Sequence, residues 1–469
     1  MTAAGGNWRE DLQRRIRTPG SRVHLMGIGG IGMAGLARLL ATKGLHVTGC
    51  DSGAPRTLAW LRTCGIPATT GHDPRHLDEA DWAIFSPALQ PGHPERVAAE
   101  KRGIPVYRRG QALPVLAESW KTLAVSGTHG KTTTSAMSAH ILRTAGADPS
   151  WCIGGELPPD GAPAGAGKSE WLVIEADESD GTLAHYHPEI AAITNIEFDH
   201  MEHFASKEAM VECFRAFARQ AKTVVFCAED PEAARVGAAA KGVAYGFSAN
   251  ADFRAENLET SPTGTRFAVR APGGRPAGVV LPLPGRHNVL NALAALATCG
   301  RCGIALEAAC ATLASFALPR RRFEPVAEGR GIRVIADYAH HPSEIRALID
   351  AARQAGAARI WAVFQPHRYT RTRALGADFP PAFAGVAGVI LAPVYAASEP
   401  PLPGGTSDDL LKHFQRHNGA PAELAKNLTD AVERVAARWQ AGEWVLVVGA
   451  GDVEDVGPML KQKLGENLP

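Results

Sequence analysis

The sequence lacks a long apolar segment and an excess of charge of either sign. No stretch of about 18 uncharged apolar residues occurs among its 469 residues, so no membrane-spanning helix is expected. Lys and Arg total 49, Asp and Glu total 48, and the net charge of +1 provides no basic field for nucleic acid. We therefore expect neither a nucleic-acid partner nor a membrane partner.

Cysteine is also scarce, with eight residues at irregular spacing. Sparse cysteines are typical of free thiols in a reducing compartment. Cys299 and Cys302 have CxxC spacing, but a zinc site would require a second such pair. Residues 1–20 contain no apolar segment of the kind that secretory signals carry. These features predict a cytoplasmic protein.

Three successive stretches each repeat a short apolar run, a Gly-rich or polar turn and a helical pattern. This order predicts an α/β fold with three domains, built on mostly parallel sheets flanked by helices. We expect an N-terminal extension at 1–20 and domains at 21–117, 118–318 and 319–469. Residues 250–280 are predicted to form an antiparallel excursion, and Pro158–Lys168 a surface loop. The predicted strands are Val23–Gly27, His46–Cys50, Asp81–Phe85, Thr122–Ser126, Trp171–Glu175, Ala191–Thr194, Thr223–Cys227, Arg333–Ala336, Arg359–Phe364, Gly388–Leu391 and Trp444–Val448.

A GxGxxG turn follows the first predicted strand and opens a helical run. Glycines there let the backbone turn sharply and let a diphosphate approach the helix N-terminus, whose free N–H groups attract anions. Asp51 ends the next strand, at the spacing expected for a carboxylate that binds a ribose hydroxyl. A nicotinamide dinucleotide and a UDP-sugar both carry a diphosphate, so an NAD-dependent dehydrogenase remains an alternative. The candidate binding residues are Gly27, Gly29, Gly30, Ile31, Gly32 and Asp51.

The segment SGTHGKTT, residues 126–133, lies between an apolar strand and a helical run. It is similar to the Walker A loop, although the first glycine of that pattern would fall at Val125. Glycines free the backbone to wrap phosphates, Lys131 can reach the β and γ oxygens, and the Thr132 hydroxyl can bind Mg²⁺. The predicted phosphate-binding residues are Gly127, Thr128, His129, Gly130, Lys131, Thr132 and Thr133.

Polar clusters follow several later strands. Two of them, at 175–180 and 195–200, offer carboxylates and a histidine to a metal ion such as Mg²⁺ or Mn²⁺. The segment GRHNVLN at 285–291 could contact a base or phosphate, or simply cap a helix. In the third domain, DYAHHP at 337–342 and QPHRYTRTR at 365–373 follow strands, and planar guanidiniums suit carboxylate or phosphate. A zinc pair at His340 and His341 is a further alternative.

Together these segments resemble the Mur ligase family, in family order and over nearly the whole chain. The motifs are GIGGIGMAGLA, SGTHGKTTT, EADESDG, TNIEFDHMEHF, GRHNVLNAL, RRRFE, DYAHHPSEI, FQPHRYTRT and VVGAGD. The resemblance implies a Rossmann-like UDP-sugar domain, a central P-loop-type ATPase domain and a C-terminal Rossmann-like domain that binds the amino acid. QPHRYTRT with DYAHHP resembles the branch that joins L-alanine to UDP-N-acetylmuramate in peptidoglycan synthesis, with ATP converted to ADP and phosphate.

The resemblance also implies residue roles. Lys131 would act on the γ-phosphate, and Thr132, Glu175 and His200 would hold metal. His287, Asn288 and Asn291 would lie at the adenine, and Arg322 and Asp337 would reach ATP from the third domain. The carboxylate substrate and the amino acid would be met by His129, His340, His367, Arg368 and Arg371. Lys131, His200, His367 and Arg368 would be the catalytic residues.

The chain departs from the family pattern at a few positions. Ala336 stands where aspartate is frequent, Cys50 where serine is frequent, and Arg215 near the place of a carbamylated lysine, so no carbamate is expected. The segment IEFDH also resembles the corresponding segment of the recycling ligase that attaches a murein tripeptide, and this ligase is the second functional hypothesis. A regulatory ATP-binding module is the third functional hypothesis. We expect a monomer or weak homodimer.

Overall fold

The computed structural model describes residues 7–159, 161–201, 203–417 and 419–465. Three β-sheets organise these residues, and helices flank each sheet. The predicted α/β fold with three domains is therefore confirmed, while the exact domain boundaries stay predictions. No helix in the described ranges combines the length and the apolarity needed to cross a bilayer.

The first sheet is a five-stranded parallel sheet in the order β3-β2-β1-β4-β5. This order is that of a doubly wound fold, whose ligands bind at the carboxyl ends of the strands. The strands are β1 Arg22–Met26, β2 His46–Asp51, β3 Ala68–Thr70, β4 Trp82–Phe85 and β5 Val106–Arg108. The helices are α1 Trp8–Arg17, α2 Ile31–Thr42, α3 Pro55–Thr63, α4 Pro94–Lys101 and α5 Arg109–Ala117.

Helix α1 lies within the predicted N-terminal extension and packs on the first domain. Leu12 and Ile16 are buried there, and Tyr107 donates a hydrogen bond to Asp11. Because its apolar face is buried in the same core as β1 and α2, this helix is part of the first domain's packing.

The central sheet has ten strands in the order β15-β14-β13-β12-β11-β10-β6-β9-β7-β8. The strands are β6 Lys121–Ser126, β7 Ser150–Leu157, β8 Ala162–Gly165, β9 Trp171–Glu175, β10 Ile190–Ile193, β11 Thr223–Cys227, β12 Val243–Gly246, β13 Phe253–Ser261, β14 Gly264–Arg270 and β15 Ala277–Leu281. The helices are α6 Lys131–Thr144, α7 Lys207–Gln220, α8 Pro231–Ala239, α9 Arg286–Arg301 and α10 Leu306–Thr312. Strands β13, β14 and β15 pair antiparallel, as predicted for residues 250–280.

The predicted surface loop Pro158–Lys168 is wrong in part. Strand β8 lies inside it and pairs antiparallel with β7, with Pro163, Ala164 and Gly165 buried. Its proline and glycines conceal the strand in the sequence, but Gly165 lies beneath the ring of Trp151, where no side chain would fit.

The third sheet has six strands in the order β16-β17-β21-β18-β19-β20, with only the edge strand β16 antiparallel. The strands are β16 Glu324–Gly329, β17 Ile332–Asp337, β18 Arg359–Phe364, β19 Gly388–Leu391, β20 Ala422–Leu424 and β21 Glu443–Val448. The helices are α11 Pro342–Gln354, α12 Tyr369–Leu375, α13 Phe379–Ala382, α14 Ser407–Arg416, α15 Leu428–Ala436 and α16 Val456–Gly465.

The central strands are buried along almost their whole length because helices flank each sheet. All six residues of β21 and five of the six in β6 are buried. Polar side chains therefore collect where these strands end. The carboxyl ends of β6, β9 and β10 are adjacent in the central sheet, and this edge carries the candidate site.

Candidate active site

The glycine turn joins β1 to α2. Gly27 has φ +77° and donates its N–H to the carbonyl oxygen of Cys50 at 2.9 Å. A Cβ on Gly29 would lie 2.7 Å from the Cβ of Ala54, so this position excludes a side chain. Helix α2 begins at Ile31, and its first residues line a cavity of about 240 Å³. The open helix N-terminus is the geometry that suits a diphosphate.

Asp51, predicted to bind a ribose, supports this turn. Its carboxylate accepts hydrogen bonds from the N–H groups of Gly29 at 3.0 Å and Gly53 at 2.9 Å. The structure thus uses the carboxylate to shape the turn, and its contact with a ribose stays a prediction.

The cavity at the glycine turn extends to the end of β9 in the central domain. Glu175 lines its far side, together with Arg109 and Asp177. The Arg109 guanidinium donates to the Asp177 carboxylate at 3.2 Å. Arg109 directly follows β5 and was not predicted from sequence, whereas Asp177 belongs to the cluster 175–180 that was predicted to offer carboxylates to a metal ion. This cavity can lead an anionic ligand from the glycine turn towards the phosphate loop.

The phosphate loop connects β6 to α6. Gly127 has φ +135°, and a Cβ there would overlap the Thr194 hydroxyl. Gly130 has φ +79°, and its Cβ would lie 2.5 Å from Oδ1 of Asn291. Asn195 holds the loop from β10: its side chain accepts the N–H of His129 at 2.8 Å. Both glycines are therefore required by conformation and by space.

Lys131 is the first residue of α6, and its ammonium group turns back over the loop. It donates to the carbonyl oxygens of Gly127 at 2.6 Å and Thr128 at 3.1 Å, and to Glu178 at 2.9 Å. Burial alone would lower the pKa of Lys131, but the neighbouring carboxylates, Glu178 foremost, raise it. The lysine is therefore a fixed cation at the place where the loop would receive a γ-phosphate.

Oxygen atoms suited to a hard cation surround this lysine. Glu178 is fully buried, and its Oε1 lies 3.5 Å from Nε2 of His200. Its Oε2 is buried and has no hydrogen-bond partner among the described residues. Glu175 accepts the N–H of Gly154 at 2.9 Å. A buried carboxylate oxygen without a partner fits a divalent cation. Glu178 is therefore a further candidate metal ligand, within the cluster 175–180 that was predicted to offer carboxylates.

A second cavity, of about 230 Å³, lies between the central and third domains. Its walls include most of the residues predicted to bind ATP: His129, Gly130, Thr133, His287, Asn288, Asn291, Arg322 and Asp337. Helix α9 begins at Arg286 with Gly285 as its N-cap, so the segment does open a helix, but Asn288 lies inside the helix and is not the capping residue. Burial lowers the pKa of His287 to about 4, which leaves a neutral imidazole in the cavity.

Two residues of the third domain lie near the phosphate loop: Arg322 contacts it, and Asp337 lines the cavity beside it. Arg322 donates to the Thr132 hydroxyl at 3.1 Å. Asp337, at the end of β17, accepts the N–H groups of Phe323 and Ala339, both at 2.8 Å. Burial raises the pKa of Asp337, against the effect of the Arg322 charge. Arg322 thus contacts the central domain directly and Asp337 lines the cavity between the two domains, while their contact with ATP stays a prediction.

His129 connects the same two domains through two carboxylates. Its Nε2 lies 2.9 Å from Glu197 of the central domain, and its Nδ1 lies 3.1 Å from Glu344 of α11. Burial opposes the charged imidazolium, but Glu344 and Glu197 together raise the pKa of His129 to about 9. A protonated histidine therefore bridges the two domains near neutral pH.

The Arg371 side chain is buried and forms an ion pair within the protein. Its guanidinium donates to both carboxylate oxygens of Asp199, each at 3.1 Å, and to Nδ1 of His367 at 3.0 Å. Burial opposes the charged carboxylate, but Arg371 and His200 lower the pKa of Asp199. Arg371 therefore fixes the segment that follows β10, and a direct contact with substrate stays a prediction.

The other predicted amino-acid-binding residues surround this ion pair. The rings of His340 and His367 are 5.6 Å apart, and burial together with nearby positive charge lowers their pKa values to about 4 and about 2. Arg368 has φ +70°, an unfavourable conformation for a side chain of this size, and lies 3.4 Å from Glu399.

The structure does not support zinc at the His340–His341 pair or at the Cys299–Cys302 pair, the two zinc alternatives taken from the sequence. Within the described ranges His341 groups with His129 and Glu197, and His340 is not in that group. All eight cysteines are free, and neither Cys299 nor Cys302 belongs to a metal-like group of described residues.

A phosphate loop with a fixed lysine, a carboxylate-rich cavity beside it and a second α/β domain closed over it define a nucleotide-dependent phosphoryl-transfer enzyme. Three family models match the chain: the Mur ligase family catalytic domain at residues 22–121, the Mur ligase middle domain at 125–299 and the Mur ligase glutamate ligase domain at 321–451. The chain belongs to the Mur ligase family, whose members depend on ATP.

Relatives match over nearly the whole chain. The UDP-N-acetylmuramate–L-alanine ligase of Kineococcus radiotolerans is 42% identical, covering 95% of this chain and 96% of its own. The crystal structure of UDP-N-acetylmuramate-alanine ligase from Thermotoga maritima superposes with a TM-score of 0.81 at 28% identity, over 95% of this chain and 100% of that one. A murein peptide ligase from Psychrobacter arcticus gives 0.73 at 25% identity, over 96% and 100%.

Proposed function

We propose that this protein joins L-alanine to the lactyl carboxylate of UDP-N-acetylmuramate, consuming ATP, as a step of peptidoglycan synthesis. One observation carries the proposal beyond the family: a cavity lined by the phosphate loop and a cavity at the glycine turn both approach Lys131. Gly130 and Thr133 line the cavity between the central and third domains. Glu175 and Asp177, which both act on the Lys131 charge, line the cavity at the glycine turn. A nucleotide and an anionic UDP-sugar can thus reach the same lysine from two sides.

The reaction needs an activated carboxylate, because a carboxylate and an amine do not condense usefully in water. An oxygen of the lactyl carboxylate attacks the γ-phosphorus of ATP, the bond to ADP breaks, and an acyl phosphate forms. The amine of L-alanine then attacks the acyl carbon, phosphate leaves, and the amine proton goes to solvent. Lys131 offsets the charge on the transferring phosphoryl group.

A divalent cation, Mg²⁺ or Mn²⁺, would supply further charge neutralisation on the phosphate oxygens. Thr132, Glu175 and His200 are the ligands expected from the family resemblance, and Glu178 is a fourth candidate because of its unpartnered oxygen. All four belong to the central domain and follow β6, β9 or β10.

The third domain would exclude water and supply the amino-acid site. Arg322 and the His129–Glu344 pair hold it against the central domain, which protects an acyl phosphate from hydrolysis. His340, His367 and Arg368 are the candidate contacts for alanine and the acceptor carboxylate.

We place the reaction in the cytoplasm, where ATP is available and the free cysteines of the chain stay reduced. We propose a monomer or weak homodimer, because the large apolar side chains exposed among the described residues are the isolated Val280 and Tyr395. Light scattering across a concentration series measures this state directly.

The decisive experiment measures ADP release with UDP-N-acetylmuramate and different acceptors. We expect release with L-alanine to exceed that with L-serine or glycine, and little release with the murein tripeptide. A preference for the tripeptide would instead assign the chain to the recycling reaction. ATP turnover that ignores both substrates would favour a regulatory module.

A further inference from the structure

Six polar side chains gather inside the first domain, and the proposed ligation uses none of them. We call them the histidine–cysteine cluster: His24, Cys50, His72, His76, His93 and Glu95. They come from β1, β2, the segment after β3 and the start of α4, so four separate parts of the chain converge on one point.

Four of these groups lie close enough together to share one metal ion. One ligand atom each from His24, Cys50, His76 and Glu95 lies within 4.8 Å of the others. Cys50 Sγ is 3.1 Å from Glu95 and 3.4 Å from Nε2 of His24. Oε1 of Glu95 is 2.8 Å from His76 and 3.8 Å from His24. Ligand atoms about 3.3–3.7 Å apart are expected for zinc bonds of about 2.0–2.3 Å.

The cluster also lacks a permanent cation. Glu95 is fully buried, and its ion pairs among the described residues go only to histidines. Its other contacts are the Cys50 thiol and the N–H of Asp73. A buried carboxylate normally requires a partner of opposite charge, and a divalent ion at this point would be that partner.

A second pair of histidines and a cavity adjoin the four groups. His72 and His93 lie 3.1 and 4.0 Å from Oε2 of Glu95, and both ring nitrogens of His93 are buried without a hydrogen-bond partner in the part of the chain that the structure describes. A cavity of about 870 Å³ is lined by His24 and His76, which gives an ion a path from solvent.

We propose that the histidine–cysteine cluster is a structural zinc site with the ligands His24, Cys50, His76 and Glu95. Imidazole, thiolate and carboxylate together favour Zn²⁺, whereas Mg²⁺ prefers oxygen ligands alone. Four protein ligands leave no open position for a substrate, which is the arrangement of structural sites. When the zinc–sulfur bond forms, the Cys50 thiol loses its proton to solvent.

The site would stabilise the glycine turn. The carbonyl oxygen of Cys50 accepts the N–H groups of Gly27 and Ile28, and the next residue, Asp51, accepts that of Gly29. A metal bond on Cys50 therefore fixes the strand end on which the turn is built.

Metal analysis of the full chain tests the proposal. The protein is stripped with chelator, loaded with Zn²⁺ in excess Mg²⁺ and dialysed. We expect about one zinc per chain in the wild type and in the control Cys64→Ser, a change outside the cluster in the same domain. Cys50→Ser and His76→Asn should bind zinc at least about 100-fold more weakly. Zinc should raise the melting temperature of the wild type and of Cys64→Ser only.

Co²⁺ replaces zinc as a spectroscopic probe of the same ligands. A thiolate-to-cobalt charge-transfer band should appear with the wild type and disappear in Cys50→Ser. The proposal is overturned by a wild type that retains no zinc, or by zinc retention that Cys50→Ser leaves unchanged. If Cys50→Ser does not fold, His76→Asn and the wild-type cobalt band decide: absence of the band overturns the site.

Discussion

At the scale of single residues, the position of Lys131 shows which charge a phosphate group would meet in the phosphate loop. Its ammonium group points back over the loop and donates to two loop carbonyls and to Glu178. A γ-phosphate entering there would meet a positioned charge, and little side-chain entropy would be lost on binding.

Replacing Lys131 by alanine should therefore remove the charge that the transferring phosphoryl group needs. We expect Lys131→Ala to lower ADP release that depends on UDP-N-acetylmuramate and L-alanine by at least about 100-fold. Lys121→Ala, at an exposed lysine that pairs with Glu170, is the matched control and should keep wild-type turnover. Turnover by Lys131→Ala close to the wild-type rate would refute the phosphate-loop assignment.

Histidines in this site differ in charge because their neighbours differ. Two carboxylates raise the pKa of His129 to about 9, whereas burial and nearby positive charge lower that of His367 to about 2. His367 is thus a neutral ring near pH 7, suited to accept a hydrogen bond rather than to pair with an anion.

At the scale of elements, the β6–α6 connection depends on glycine at its first turn. Gly127→Ala would force a side chain into φ +135° and against the Thr194 hydroxyl. We expect a loss of unfolding free energy of about 1–3 kcal/mol and a marked loss of ATP binding. Gly278→Ala, which has open space and no positive φ, is the control and should change neither. Denaturant unfolding and nucleotide titration measure both effects; equal behaviour of the two variants would contradict the steric argument.

Elements with continuous apolar runs could be predicted from sequence almost to the residue. Trp171–Glu175, Thr223–Cys227 and Arg359–Phe364 are strands with the predicted bounds, because covered parallel strands leave an uninterrupted apolar signal. Strand β8 could not be predicted, since its place beside β7 depends on packing under Trp151.

Some residues of the candidate site could likewise be predicted from the local sequence, and others could not. Lys131 and Glu175 belong to local motifs at strand ends, so their neighbourhood was predictable. Asp199 and Glu344 matter through partners more than 170 residues away in sequence, or in another domain, and spacing alone carries no such information.

At the scale of the whole molecule, the contact between the central and third domains should depend on pH. The folded pKa of His129, about 9, exceeds its unfolded value of 6.5, so its stabilising effect is complete below about pH 6.5 and is lost as pH rises through 9. The facing groups are Glu197, Glu344 and His341. The full effect is at most about 3 kcal/mol, at about 1.4 kcal/mol per pKa unit.

Melting temperatures measured from about pH 6 to 10 test this linkage. We expect the wild type to lose stability relative to His129→Gln as pH rises, so that the two curves converge above pH 9. His46→Gln, at an exposed position in the first domain, should run parallel to the wild type. A constant difference between wild type and His129→Gln would show that the histidine does not titrate in this range.

The cavity proposed to hold ATP has walls from two domains, with Asn291 and Thr133 on one side and Arg322 and Asp337 on the other. Thermodynamic reciprocity then applies: whatever free energy ATP gains from the third domain, domain closure gains equally from ATP. We therefore expect part of the ATP binding energy to be used in bringing the domains together, which makes the apparent affinity weaker than the contacts alone would give. ADP would leave only when those contacts break, so each catalytic cycle would include one opening and one closing of the molecule.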